Sequence, residues 1–231
     1  MLKIIKNKNF DFKTIMPIYK NGNYRDFVKK QFSLTEDILL CPTDAIDIEQ
    51  GQIDNKKCID CLLCPYFLPT EIIEFSDKDS FKRFSDFVNS DKKYLTKWIG
   101  QIVTASNNQI KCGYEIKIDS GSRTKRIPLL LLFEEKTSIL KVVDSFKDVE
   151  YGIINLEEIE NAIIQNNFLM PTKIIVVNQM KNNYSEKLQD TVKKLREKHS
   201  FELIFIEDIW DVAKNGISTR TVEWKKIFFM M

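Results

Sequence analysis

At 231 residues, 43% of them apolar and 11% aromatic, the chain has material for one large domain, or for a small one joined to a medium one, and is not disordered as a whole. No apolar run approaches the roughly 18–20 residues of a membrane span, and the basic start MLKIIKNKNFDFK lacks the long apolar stretch and small-residue cleavage site of a secretory signal; a soluble, cytoplasmic protein without a membrane role is expected. The net charge of +2 conceals an asymmetry: eight Lys/Arg against two acids over 1–35, eleven acids against three Lys over 36–79, then ten Lys/Arg against four acids over 80–127. Such blocks imply either separate surfaces for separate partners or plain solvated faces.

The first feature in chain order is the cysteine region. Cys41-Pro42 opens a turn, Ala45, Ile46 and Ile48 follow as a short strand, Gln50-Gly51 offers a turn, and Ile53 begins a second strand. The pattern predicts a β-hairpin that carries Cys41 back beside Cys58. Cys41, Cys58, Cys61 and Cys64 crowd into 24 residues, the last three at CxxCxxC spacing with Pro65 directly after. In a cytosolic chain such crowding points to metal rather than to disulfides. Zinc also takes four cysteines, commonly as two CxxC pairs some distance apart, which is not this pattern. Cys112, in KCGYEIKI, is expected to be a free, half-buried thiol acting as a small hydrophobe.

The run from CPTDAI to CIDCLLCP resembles a bacterial-type ferredoxin domain. That family carries C-x2-C-x2-C-x3-C-P, in which the cysteine before the proline ligates the other cluster. Cys41 stands in place of the remote Cys-Pro ligand, and Cys58, Cys61 and Cys64 in place of the triplet. The resemblance, over residues 31–76, implies that these four hold one [4Fe–4S] cluster. The other cluster's positions carry Gln31, Leu34, Asp37 and Leu68, so LPTEIIEF keeps the look of a ferredoxin tail without its cysteine. Family members often have glycine where this chain has Asp44, Asp60 and Leu62, and Pro65 removes a backbone N–H near the third ligand.

Beyond residue 78, apolar spacing predicts a helix over 79–104 with Phe81, Phe84, Phe87 or Val88, Leu95, Trp98, Ile99 and Ile102 on one face, broken in two at Asn89-Ser90-Asp91. Strands follow at Tyr114–Ile118, Ile127–Phe133 and Ser138–Phe146, with a turn at 134–136. A helix over 155–166, a buried strand at Thr172–Gln179, an amphipathic helix over 184–198 and a closing strand at Phe201–Asp208 complete the order. The fold class is therefore α+β: a small ferredoxin-like lobe over 1–78, with a basic N-terminal extension, joined to an α/β domain over 79–231 whose mixed sheet is flanked by helices.

That second part, over 80–212, resembles a restriction-endonuclease-like, PD-(D/E)XK, domain of the Mrr and archaeal Holliday-junction resolvase kind. The likeness rests on GYEIKIDSGSRTKRIPLLLLF followed by ILKVVDSF. Active members need an acid at the start of the second strand and acid-x-Lys on the third, to hold Mg²⁺ and activate water. Here Pro128 or Leu129 occupies the first place and Val142, Val143 and Asp144 the second, with Lys141 and Asp144 in the wrong order. The resemblance implies a degenerate nuclease domain with no catalytic residues; an unrelated α/β domain is the alternative.

The basic turn SGSRTKR offers Arg123, Lys125 and Arg126 as phosphate contacts, with Gly121 allowing close approach and Lys92, Lys93 and Lys97 extending the surface; the plain alternative is a solvated hairpin tip. His199 is the single histidine, beside the end of a predicted helix, and is expected to act as a helix-terminus charge rather than in a Ser–His–Asp or Cys–His scheme. No glycine-rich phosphate loop is present. The apolar, basic WKKIFFMM either packs into the core or meets a partner. The expectation is a non-catalytic, cluster-binding subunit with a protein partner, and DNA or RNA as a further one. A one-electron carrier on the acidic 36–79 surface is the alternative, and a nuclease using Glu115, Asp119 and Asp144 the third.

Overall fold

The computed structural model describes residues 2–4, 41–47, 52–67, 73–75, 80–90, 92–107, 109–119, 123–166, 169–181, 184–219 and 222–229. The chain forms two compact units, Met1–Ser90 and Asp91–Met231. In the first unit lie β1 (Leu2–Ile4), β2 (Ile46–Asp47), β3 (Gln52–Ile53), α1 (Leu63–Phe67), β4 (Ile73–Phe75) and α2 (Ser80–Ser90). β1 runs antiparallel to β4, with Leu2 opposite Phe75, and β2 antiparallel to β3, with Ile46 opposite Ile53. Pro65 is the third residue of α1, where a helix has no internal acceptor for the N–H that proline lacks, so the helix tolerates it. α2 buries Phe84 and Val88, one turn apart. It belongs with the cysteine region rather than opening the sheet domain, and an ion pair between Asp60 and Arg83 ties it there.

The second unit runs α3 (Lys92–Ser106), β5 (Lys111–Asp119), β6 (Thr124–Phe133), β7 (Lys136–Val143), α4 (Val149–Gln165), β8 (Thr172–Val177), α5 (Glu186–Lys198), β9 (Glu202–Phe205), α6 (Ile206–Thr219) and α7 (Trp224–Phe228). The strands make one sheet in sequence order: β5, β6 and β7 form an antiparallel meander, while β8 and β9 continue it parallel to β7. This is the α+β arrangement expected, a mixed five-strand sheet flanked by helices. One element was read differently. The strand expected over 201–208 ends at Phe205, and α6 begins at Ile206. Its buried Ile206, Ile209, Trp210 and Ala213 recur at helical spacing, which wins over a continued strand.

The two faces of the sheet bury different helices. Ile139 and Val143 of β7, with Ile175 and Val177 of β8, pack against Val149, Ile153, Leu156 and Ile159 of α4. The approach is close: a Cβ on Gly152 would stand 3.0 Å from the side chains of Ile175 and Val143. On the alternate pleat, the Ser138 hydroxyl donates to the Phe228 carbonyl at 2.5 Å, and the Phe133 and Phe229 rings meet at 5.5 Å. Trp224 and Phe228 are fully buried, and the Trp224 indole N–H donates to the Ser106 hydroxyl of α3. The segment over 224–229 is thus core.

The meander contains a switch of faces. Glu115 has φ of 47°, and the register on either side of it, Tyr114 with Leu129 and Ile116 with Ile127, sets Pro128 across from it. Before the switch the Tyr114 hydroxyl donates to the Lys97 carbonyl of α3; beyond it Ile116 and Ile118 join the α4 cluster. Proline offers no N–H there and a left-handed residue reorients the pleat, so the two irregularities sit together. No helix among the described residues is long and apolar enough to cross a membrane.

Candidate metal centre

The hairpin expected between Cys41 and Cys58 forms. The Asp54 N–H donates to the Ala45 carbonyl at 2.7 Å, closing the end of the β2–β3 ladder nearest the cysteines, and the Cys58 N–H donates to the Asp54 carbonyl at 2.9 Å. Cys41 and Cys58 are half-buried, Cys61 and Cys64 buried, and none of the five cysteines is in a disulfide. The Ala45 N–H donates to Cys41 Sγ at 3.1 Å, and Thr43 Oγ1 stands 3.6 Å from the same sulfur. A backbone N–H from Asp60 reaches Cys58.

Burial pushes the Cys58 thiol up to about 11; the Asp60 N–H opposes the shift, while the Asp60 carboxylate and Cys41 add to it. Burial also pushes Cys64 well above the usual thiol range, and Cys61, Cys58 and Cys41 all add to that shift. Groups act on one another's ionisation in this way only at short range. Cys41, Cys58 and Cys61 thus all act electrostatically on Cys64. Among the described residues no three or more His, Cys, Asp or Glu side chains stand in position to hold a metal ion as they are. Neutral thiols gain nothing by closing to ligand distance; deprotonation by a metal supplies that attraction.

The backbone of this region carries three left-handed residues: Asp44 at φ 49°, Asp60 at 54° and Leu62 at 61°. These are the three places where the ferredoxin pattern often has glycine. Left-handed backbone costs an L-residue about 1–2 kcal/mol, least for Asp and Asn and more for a side chain such as leucine. Leu62 is fully buried, and that burial offsets the strain. Gln31, Leu34, Asp37 and Leu68, which stand at the second-cluster places of the ferredoxin pattern, lie outside the described residues.

Asp60 is the buried acid of the site, 1% exposed, and it meets Arg83 of α2 through Nε at 2.6 Å and a terminal guanidinium nitrogen at 2.5 Å. The Cys58 thiol lies 3.7 Å from the other Asp60 oxygen. Arg83 was not assigned from the sequence, since its partner is 23 residues away and nothing in the spacing links them.

The basic residues lie on two elements of the second unit. Arg123 precedes β6 and Lys125 and Arg126 lie on it; Lys93 and Lys97 are exposed on α3; the side chain of Lys92, and Gly121, lie outside the described residues. The strand register sets Lys117 opposite Arg126, a further cation that motif reading missed. The cations are met by acids. Lys125 Nζ bonds Glu158 at 2.5 Å and holds that carboxyl below its usual range, while Arg126 stands 3.9 Å from Glu115. Exposed pairs of this kind contribute little to stability.

At the nuclease positions Leu129 is fully buried, Val142 half-buried and Asp144 exposed just past β7. Asp119 ends β5 and accepts the Thr124 hydroxyl at 3.2 Å. Lys141 faces α4: its ammonium donates to Asn155 Oδ1 at 2.9 Å and lies 5.2 Å from the centre of the Tyr151 ring. Burial lowers its pKa and the nearby Glu115 opposes that. His199 caps α5 and its Nδ1 lies 2.8 Å from Glu157. Cys112 is half-buried on β5, opposite Leu131.

No known protein family matches the chain, and no curated protein matches it. Among solved structures it is similar to the crystal structure of protein VC1899 from Vibrio cholerae, at 14% identity and a TM-score of 0.39, over 90% of this chain and 52% of that one. The chain thus spans about half the length of that protein.

Proposed function

We propose that residues 41–64 form a ferredoxin-like site for one [4Fe–4S] cluster, held by Cys41, Cys58, Cys61 and Cys64. The observation that carries this reading is the left-handed backbone at Asp44, Asp60 and Leu62, kept in the glycine places of the pattern although none is glycine. The donor chemistry fits: four cysteines, two buried and two half-buried, with backbone N–H groups reaching two of them, as in cluster thiolates. Zinc would draw all four sulfurs to about 2.3 Å from one point, whereas a cluster binds each cysteine to its own iron and asks for a wider ring. When bound, the cluster supplies a one-electron couple or a structural clamp. The chain's own part is to bury Cys61 and Cys64 and leave Cys41 and Cys58 half-open.

The chain as a whole reads as a non-catalytic subunit of a nucleic-acid-processing or defence complex. We read the order of elements in the second unit as nuclease-like, while apolar Leu129 and Val142 stand where that family keeps its acids. Arg123, Lys125, Arg126, Lys93 and Lys97 are the candidate phosphate contacts, with Lys92 beside them in sequence. The half-exposed Cys41 and Cys58 favour the second reading, a one-electron carrier whose partner docks on the acidic 36–79 stretch.

Anaerobic purification tests the cluster first. About four irons and four sulfides per chain, with a broad visible absorbance, are expected, lost in Cys41→Ser and kept in Cys112→Ser. Zinc at one equivalent, or loss in both variants, would overturn the assignment. Binding of a duplex or single-stranded oligonucleotide should weaken steeply with added salt. Absence of binding, together with reversible one-electron reduction, would leave the carrier reading in place of the subunit reading.

A further inference from the structure

Asp60 is an improbable residue for its place. It is 1% exposed, stands between two of the four cysteines, has φ of 54°, and its Oδ1 lies 3.7 Å from Cys58 Sγ. A lone carboxylate there opposes the gathering of further negative charge, and four thiolates are what a cluster requires. The fold answers with one side chain. Arg83, from the helix after the cysteine region, places two guanidinium nitrogens on Asp60 Oδ2. The Nε–H donates to that oxygen and a terminal nitrogen stands in ion-pair contact with it, and breaking a buried pair leaves its partner's charge uncompensated. Arg83 itself keeps 35% of its side-chain surface in water, so the positive charge is delivered to the site from its rim.

We propose that Arg83 is a positioning residue of the cysteine site: through Asp60 it fixes the Cys58–Cys64 loop to the helix that follows, and its charge raises the reduction potential of the cluster that this loop would hold. The inference rests on the cluster reading given above. Asp60 then serves as the link that fixes Arg83 and the ligand loop to each other. Net charge and groups just outside the ligands tune iron–sulfur potentials, and this pair is the charged element the structure puts there.

The test uses the full chain, purified anaerobically, as wild type, Asp60→Asn, Arg83→Gln and the double variant. Two quantities are read: the midpoint potential by spectroelectrochemistry, and the rate of iron loss to a chelator. Arg83→Gln should hold the added electron about tenfold less tightly, a fall of about 59 mV for one electron, and should release iron several-fold faster. Asp60→Asn should move the potential the other way. The double variant should return close to wild type in both measurements, which a merely structural loss would not do. Single variants that share the wild-type potential and release rate, or a double variant as impaired as Arg83→Gln, would overturn the inference while the cluster reading stands. A wild-type chain without iron removes both.

Discussion

The buried pair between Lys173 of β8 and Glu160 of α4 gives a sharp test of the sheet unit. Their side chains are 6% and 9% exposed, and Glu160 Oε1 has no partner beyond the ammonium bonded to Oε2. Lys173→Met therefore leaves a carboxylate out of water with nothing to answer its charge. Breaking such a pair costs about 3–5 kcal/mol, whereas replacing both partners by apolar groups is about neutral or better. All three tryptophans, Trp98, Trp210 and Trp224, lie in this unit, so their fluorescence reports its unfolding alone. With a urea slope of about 2 kcal/mol per molar, Lys173→Met should lower the midpoint by roughly 2 M. Glu160→Leu combined with Lys173→Met should recover most of that, so the two substitutions are far from additive. A single-variant shift below about 0.5 M, or a double variant as unstable as the sum of the singles, would refute the reasoning.

Two further outcomes follow from backbone and burial. Glu134-Glu135 closes the β6–β7 hairpin in two residues, and Glu134 carries φ of 53°, a place that suits glycine. Glu134→Gly should relieve about 1–2 kcal/mol of strain against about 0.5–1 of added chain entropy, raising Tm by about 1–4 °C in calorimetry; a lower Tm counts against it. Burial holds Lys141 below 10.5, so between its folded value and 10.5 the unfolded chain binds more protons and stability rises with pH. Urea midpoints of wild type minus Lys141→Met, followed from pH 7 to 10.5, should shift toward the wild type; a flat difference sinks the assignment.

What the sequence makes legible is periodic or punctuated. The meander announces itself by alternation and by the Glu134-Glu135 turn, and the break at Asn89-Ser90-Asp91 falls where α2 gives way to α3. α6 was hidden because the apolar run LIFI crosses the boundary, and the change from strand to helix at Ile206 shows only in residues further on. In the cysteine region the spacing marks the ligand candidates, and the loss of the family's glycines marks where the backbone is strained. Arg83 leaves no such trace: an ion pair across 23 residues has no spacing of its own. The acids that meet the basic turn are hidden for the same reason, with Glu158 on a helix 33 residues beyond Lys125.

The buried segment over 224–229 has a consequence for synthesis. Ser138 and the Phe228 carbonyl that it bonds are 90 residues apart. At roughly 5–20 residues per second, the ribosome completes β7 about 5–18 s before it adds that cover. Throughout that interval Phe133 and its neighbours on one face of the nascent sheet wait without their lid, long after local hairpins have formed. Chaperone occupancy during translation should concentrate on chains of this length, and a stall placed between α6 and α7 should trap them there.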